Sequence, residues 1–251
     1  MSAGLVADGI TVRYGANVAV EHVSLDVAPG EVVGLIGPNG AGKTSFIDAV
    51  TGLTAMSAGR VLLDDLDVTT WSPHRRAGAG VRRTFQALRL FDDLTVSENL
   101  VVAAENDRRF GFLRDLVRPR RTTVAIDRAL EQTGLRDLAD ALPRDLSAGT
   151  RRLVGVARGV VADPKVLLLD EPAAGLDTSE TQELGHVLTR LARSGVGLLL
   201  VEHDTELVFR VCDRVVAIDF GRTIASGRAG EVRTSDAVIG AYLGVASDDD
   251  R

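Results

Sequence analysis

Two clusters of residues in this chain are able to do chemistry. The first is Gly37-Pro38-Asn39-Gly40-Ala41-Gly42-Lys43-Thr44, followed by Ser45 and preceded by the apolar run 32–36. The pattern G-x-x-x-x-G-K-[ST], with strand character before it and helical periodicity after it, is that of a phosphate-binding loop. Gly37, Gly40 and Gly42 let successive backbone N–H groups turn onto phosphate oxygens with no Cβ in the way. The helix begun near Lys43 adds its unpaired amides and positive dipole end. Lys43 is placed to reach the β- and γ-phosphates, and the Thr44 hydroxyl to bind Mg²⁺. A plain glycine-rich turn would not need all eight positions. The second cluster, Asp170-Glu171, closes the apolar run 166–169. In a parallel sheet, ligands gather outside the C-terminal ends of the strands. Asp170 would there hold Mg²⁺, directly or through water, and Glu171 would orient or deprotonate an attacking water. Alone, the second run reads equally as a strand ending in solvated acids; beside the loop, it implies a nucleoside triphosphate site.

The elements that must position these clusters follow from periodicity. Residues 5–14 and 18–27 alternate around Gly15-Ala16-Asn17 and predict a hairpin. Residues 60–63 and 81–85 read as strands, and 73–79 as a short helix. From about residue 92 to 161 the pattern turns helical. Thr95-Val96-Ser97-Glu98 is a capping box, residues 124–133 have helical spacing ended by Gly134, and 147–162 form a third helix stopped by Asp163-Pro164. Strand and helix then alternate again, with strands at 166–169 and 196–201 and helices at 178–194 and 205–212. A strand pair over 214–225 turns at Gly221, and a helix over 237–243 closes the fold. The chain thus reads as an α/β nucleotide-binding core with a helical block inserted.

Composition narrows the classes. The net charge of −6 over 251 residues argues against a general affinity for nucleic acid. Lys43 and Lys165 are the only lysines, and one of them stands in the phosphate loop. The single cysteine, Cys212, excludes an internal disulfide and suits a reducing cytoplasm. No signal peptide is evident, and the apolar runs are far shorter than a membrane span, so work at a membrane would need a partner. Arg108, Arg109, Arg114, Arg118, Arg120 and Arg121, interleaved with Phe110 and Phe112, form a basic run. It reads as a solvated helix face or as a contact for anionic headgroups or a membrane subunit.

With these motifs in this order, the whole chain resembles the ATPase subunits of ABC (ATP-binding cassette) transporters. The resemblance implies a P-loop NTPase (RecA-like) core with an N-terminal antiparallel β subdomain and an inserted α-helical subdomain. Residues 1–87 and 162–245 would be the core and β subdomain, 88–161 the helical subdomain, and 246–251 an acidic tail. It places an adenine-stacking aromatic at Tyr14 and the Q-loop glutamine, touching Mg²⁺ and water, at Gln86. It places the family signature at Leu146-Ser147-Ala148-Gly149-Thr150, the D-loop at Gly175-Leu176-Asp177 and the switch histidine, contacting the γ-phosphate, at His203. Asp177 also reads as a helix N-cap. ATP and Mg²⁺ are the implied ligands. The implied partners are a second ATPase subunit, in a homo- or heterodimer, transmembrane permease subunits, and indirectly a solute-binding protein. The implied location is the cytoplasmic face of the cell membrane.

Within the family the chain is most similar to the ATPases of branched-chain amino acid importers, through Arg83-Thr84-Phe85-Gln86 with Leu88-Arg89-Leu90-Phe91, Glu171-Pro172-Ala173-Ala174-Gly175 and Ala241-Tyr242-Leu243-Gly244. Lipopolysaccharide-export ATPases share parts of this pattern, and a soluble ABC-type scaffold, as in iron–sulfur assembly, is a further alternative. The signature departs from the family's Leu-Ser-Gly-Gly-Gln at Ala148 and Thr150. Since each nucleotide lies between one subunit's phosphate loop and the other's signature, an asymmetric pair with one slower site is one expectation; tolerance of both substitutions is the other. Gly155 and Gly159 are expected to weaken the signature helix.

Overall fold

In the computed structural model, which describes residues 4–84, 89–105, 119–203 and 205–245, the expected hairpin forms from β1 (Leu5–Tyr14) and β2 (Asn17–Val27). It pairs antiparallel with β4 (Ala58–Leu63), which in turn pairs with the two-residue β5 (Leu66–Asp67), giving a four-stranded sheet of order β2-β1-β4-β5. The second sheet contains β3 (Val32–Ile36), β6 (Val81–Thr84), β7 (Val166–Asp170), β8 (Gly197–Val201), β9 (Arg214–Asp219) and β10 (Arg222–Arg228). Its order is β10-β9-β3-β8-β7-β6, parallel throughout except for β10.

The continuous apolar runs of β3, β7 and β8 are explained by burial on both faces. On β7, Val166 and Leu168 join a core shared with the antiparallel sheet and α1 (Lys43–Thr51), whereas Leu167 and Leu169 face the helices on the other side. That second core is built with α3 (Val96–Glu105), α4 (Pro119–Thr133), α5 (Ala148–Val160), α6 (Thr178–Arg193) and α7 (Thr205–Val211). The helix expected over 73–79 forms as α2 (Pro73–Ala79), and α9 (Asp236–Val245) closes the chain. Sequence reading omitted α8 (Ala229–Arg233), whose five residues are too few to show a period.

One local expectation is met atom by atom. Glu98 N–H donates to Thr95 Oγ1 (3.2 Å) and Glu98 Oε2 accepts from Thr95 N–H (2.7 Å), the reciprocal cap read at the start of α3. Another is revised. A Cβ at Gly159 would come within 2.8 Å of Leu167 Cδ1, so this glycine lets α5 lie close against β7. Gln86, most of the basic run and the tail 246–251 lie outside the described residues.

Candidate nucleotide-binding site

Parallel pairing brings the C-terminal ends of β3, β8 and β7 side by side, and each end continues into residues with chemical potential. β3 runs into the phosphate loop, β7 ends at Asp170 with Glu171 next, and β8 is followed by Glu202 and His203. The loop closes tightly. Gly42 has φ +103°, and a Cβ there would stand 2.4 Å from Ala19 O; one at Gly37 would stand 2.2 Å from Ile218 O. Helix α1 begins at Lys43 with no side-chain cap on its first amides, leaving them for an anion. Its other end is held by Arg76, whose buried Nη1 donates to Ala49 O (2.8 Å) and Val50 O (2.6 Å).

Lys43 Nζ is folded back on its own loop, donating to Gly37 O at 2.6 Å and Pro38 O at 3.1 Å. Burial lowers its pKa, while Glu171, Asp170 and Glu202 pull it upward. Asp170 is 8% exposed and accepts from Arg83 Nη2 at 2.8 Å. The other arm of Arg83 pairs with Asp48 of α1, so one guanidinium ties the phosphate-loop helix to the end of β7. Glu171 has φ +47°, a left-handed conformation costly for a residue with a Cβ. Its N–H is held by Val201 O at 2.9 Å.

Glu202 is fully buried. Its Oε1 accepts from Ala173 N–H at 2.8 Å, while Oε2 makes no hydrogen bond. His203 Nδ1 lies 3.9 Å from Glu202 Oε2 and 3.9 Å from Glu171 Oε1. Burial raises the Glu202 pKa above the usual carboxylate value, with Ala173 N–H and His203 opposing the shift. A carboxyl shifted this way favours the folded state when protonated; that contribution is complete below the unfolded pKa and lost as pH rises through the folded one. Glu202→Gln keeps an acceptor for Ala173 and carries no charge. It is expected to raise the melting temperature by a margin that widens as pH rises above the ordinary carboxylate range. Thermal unfolding as a function of pH checks this; a margin independent of pH would contradict it.

A cavity of about 460 Å³ opens over the loop, lined by residues 39–45 and Glu171 together with Asn17, Val18, Ala19 and Phe220. Tyr14 is 50% exposed at the end of β1, paired with Asn17, and is not among the lining residues. The signature and D-loop residues gather elsewhere, around a side chain that sequence reading passed over. Ser147 caps α5, its Oγ accepting from Thr150 N–H at 3.2 Å. Glu180 Oε1 accepts from Gly149 N–H (2.9 Å) and from Ser147 Oγ (3.1 Å). Its Oε2 accepts from Asp177 N–H (3.3 Å), and Asp177 caps α6 in return. Ala148 is the exposed first residue of α5, outside the left-handed region, so its Cβ fits the backbone. Arg83, Glu180, Glu202 and Phe220 are the additions to the predicted set.

The ABC transporter family profile matches residues 20–174. The high-affinity branched-chain amino acid transport ATP-binding protein LivG of Escherichia coli is 39% identical over 96% of this chain and 98% of its own length. The chain belongs to the ABC transporter ATPases. BraF of Pseudomonas aeruginosa, named for the same transport, is 38% identical over the same shares of chain and relative. The lipopolysaccharide export ATP-binding protein LptB of Haemophilus influenzae is 34% identical over 96% of this chain and 97% of its own. Among solved structures, the ADP conformation of the cassette MJ1267 superposes with a TM-score of 0.86 at 29% identity, covering 97% of this chain and 99% of that one. This ABC ATPase accordingly has the P-loop NTPase fold with an antiparallel β subdomain and a helical region, and ATP hydrolysis is its family's reaction. Among the described residues no helix is long and apolar enough to cross a membrane.

Proposed function

We propose that this chain is the ATP-hydrolysing subunit of an ABC importer for branched-chain amino acids or related small polar solutes, acting at the cytoplasmic face of the membrane through permease subunits. The observation that carries the solute class is the end-to-end identity with LivG, 39% over 96% of the chain. The convergence of the phosphate loop, Asp170, Glu171 and His203 at neighbouring strand ends supports the chemistry.

In this reading residues 37–45 cradle the phosphates, with Lys43 turning from its two loop carbonyls to the β- and γ-phosphates. Thr44 and Asp170 hold Mg²⁺ with help from Gln86. One hydroxyl and one carboxylate form a fitting donor set, because Mg²⁺ takes few protein oxygens and completes its shell with phosphate and water. Glu171 orients the attacking water and accepts its proton, and His203 contacts the γ-phosphate. Tyr14 borders the adenine. Ser147, Ala148, Gly149 and Asp177 face the nucleotide of a second ATPase subunit, and closure of that pair moves the permease through the inserted helices, 88–161.

The structure changes the weight of the two signature departures. Ala148 is compatible with the helix, whereas Thr150 places its hydroxyl 3.1 Å from Ser147 Oγ, the group expected to face phosphate. In the assembled transporter, Thr150→Gln is expected to raise ATP turnover roughly two- to tenfold, the size of one net hydrogen bond. Unchanged turnover would mean that both signatures serve equally well.

Isolation of detergent-solubilised complexes tests the function itself. Permease and solute-binding partners that take up leucine-like solutes support the reading, and partners that extract lipopolysaccharide overturn the importer assignment.

A further inference from the structure

Phe220 stands at the tip of the β9–β10 hairpin, in a position unsuited to its side chain on two counts. It is 87% exposed, the most exposed large apolar residue among those described. It also has φ +43°, followed by Gly221 at φ +77°. Two consecutive left-handed residues make the tight turn for which Asn-Gly or Asp-Gly is the favoured pair. A bulky ring in the first position is a backbone outlier, and such strain persists where the surroundings hold it.

The surroundings do hold it. Phe220 N–H donates to Asp219 Oδ1 at 3.0 Å. Gly221 N–H donates to Ala41 O of the phosphate loop at 2.9 Å, and Gly221 O accepts from Glu21 N–H of β2 at 2.7 Å. A Cβ at Gly221 would lie 2.7 Å from Ala19 O, so the turn rests directly on β2. Arg222 pairs with Glu21 at 2.8 Å on the same side. The ring is therefore carried by a turn bolted both to the phosphate loop and to the strand beside it, and it lines the cavity above them. The amides of residues 39–45 serve the anionic part of a ligand. The rest of the wall is Asn17, Val18, Ala19, Glu171 and Phe220, and Phe220 is the only aromatic ring among these lining residues.

We propose that Phe220 is a nucleoside-contacting residue of the ATP site, its ring packing against the base and losing its exposure when nucleotide binds. The inference rests on the assignment of this cavity to ATP. A ring stacked on a nucleobase is the arrangement that makes an exposed, strained aromatic worth keeping, because any base offers a π-face to it.

The test is equilibrium binding of Mg·ATP and of Mg·tripolyphosphate, which has the phosphates and no nucleoside, to the full chain and to Phe220→Ala, Phe220→Trp and Phe220→Asn. Phe220→Ala is expected to weaken ATP about tenfold, about 1.4 kcal/mol, and to leave tripolyphosphate within about twofold. Phe220→Trp keeps ATP affinity. Phe220→Asn, which suits the turn, weakens ATP as the alanine variant does but raises the melting temperature by about 2–4 °C. That opposition of sign is not expected of a purely structural residue. ATP affinity unchanged in Phe220→Ala overturns the proposal and points the ring toward another subunit. Parallel loss of ATP and tripolyphosphate also overturns it, since the turn would then only prop the phosphate loop. If the unaltered chain binds neither ligand, the assignment of the cavity itself fails.

Discussion

Glu171→Gln is expected to lower ATP turnover at least about a hundredfold while leaving ATP affinity within a few-fold of the unaltered chain. Glutamine keeps the shape and an acceptor oxygen but cannot take a proton from water. The backbone at this position is set by neighbours rather than by the carboxylate, since the Glu171 N–H is held by Val201 O and the following turn by Glu202 through Ala173 N–H. The left-handed φ of +47° is thus maintained by strand β8, and the substituted side chain inherits the same place over the loop. A nucleotide-bound dimer should then accumulate, visible as a larger species in size-exclusion chromatography with Mg·ATP. Phosphate release at the original rate would assign the base to another residue, with His203, 3.9 Å from Glu171, the first to examine.

Arg83→Met is expected to destabilise the chain by roughly 3–5 kcal/mol, a fall in melting temperature on the order of 10 °C for a protein of this size. The Arg83 side chain is 7% exposed, and the carboxylates that it joins are 26% (Asp48) and 10% (Asp170) exposed. Methionine fills much of the volume and removes the charge, so the loss comes from leaving two largely buried carboxylates without the guanidinium between them. Denaturant unfolding measures it. A change below about 1 kcal/mol would place the pair in the range of solvated surface bridges and would contradict the burial described here.

Both residues illustrate what the sequence revealed and what it withheld. Features written within a few positions were legible: the phosphate loop, the apolar strands, the capping box at Thr95 and Glu98, and Asp177 as an N-cap. Their physics is local, so spacing alone carries it. Arg83 was quoted only as part of a likeness, because its partners lie 35 and 87 residues away. Glu202 was not singled out, and only its place after the central strand β8 makes it a buried acid. Phe220 was covered only by the strand pair read over 214–225, and its strain and exposure emerge once the turn is seated on β2 and the phosphate loop. The signature shows the converse case. Ala148 left two expectations open, an impaired signature or a tolerated one, and the first turn of α5 accommodates its Cβ, while Glu180, whose carboxylate accepts from Gly149 N–H, was not singled out at all.

The folded-back lysine has a consequence for how ligand would enter. With its ammonium donating to the carbonyls of Gly37 and Pro38, the loop carries a cation bonded to its own backbone. Arrival of an anion asks that tether to exchange two neutral oxygens for charged ones, a swap of partners rather than a search for shape. A loop whose backbone is already fixed by such bonds has less conformational entropy to lose at the moment of association.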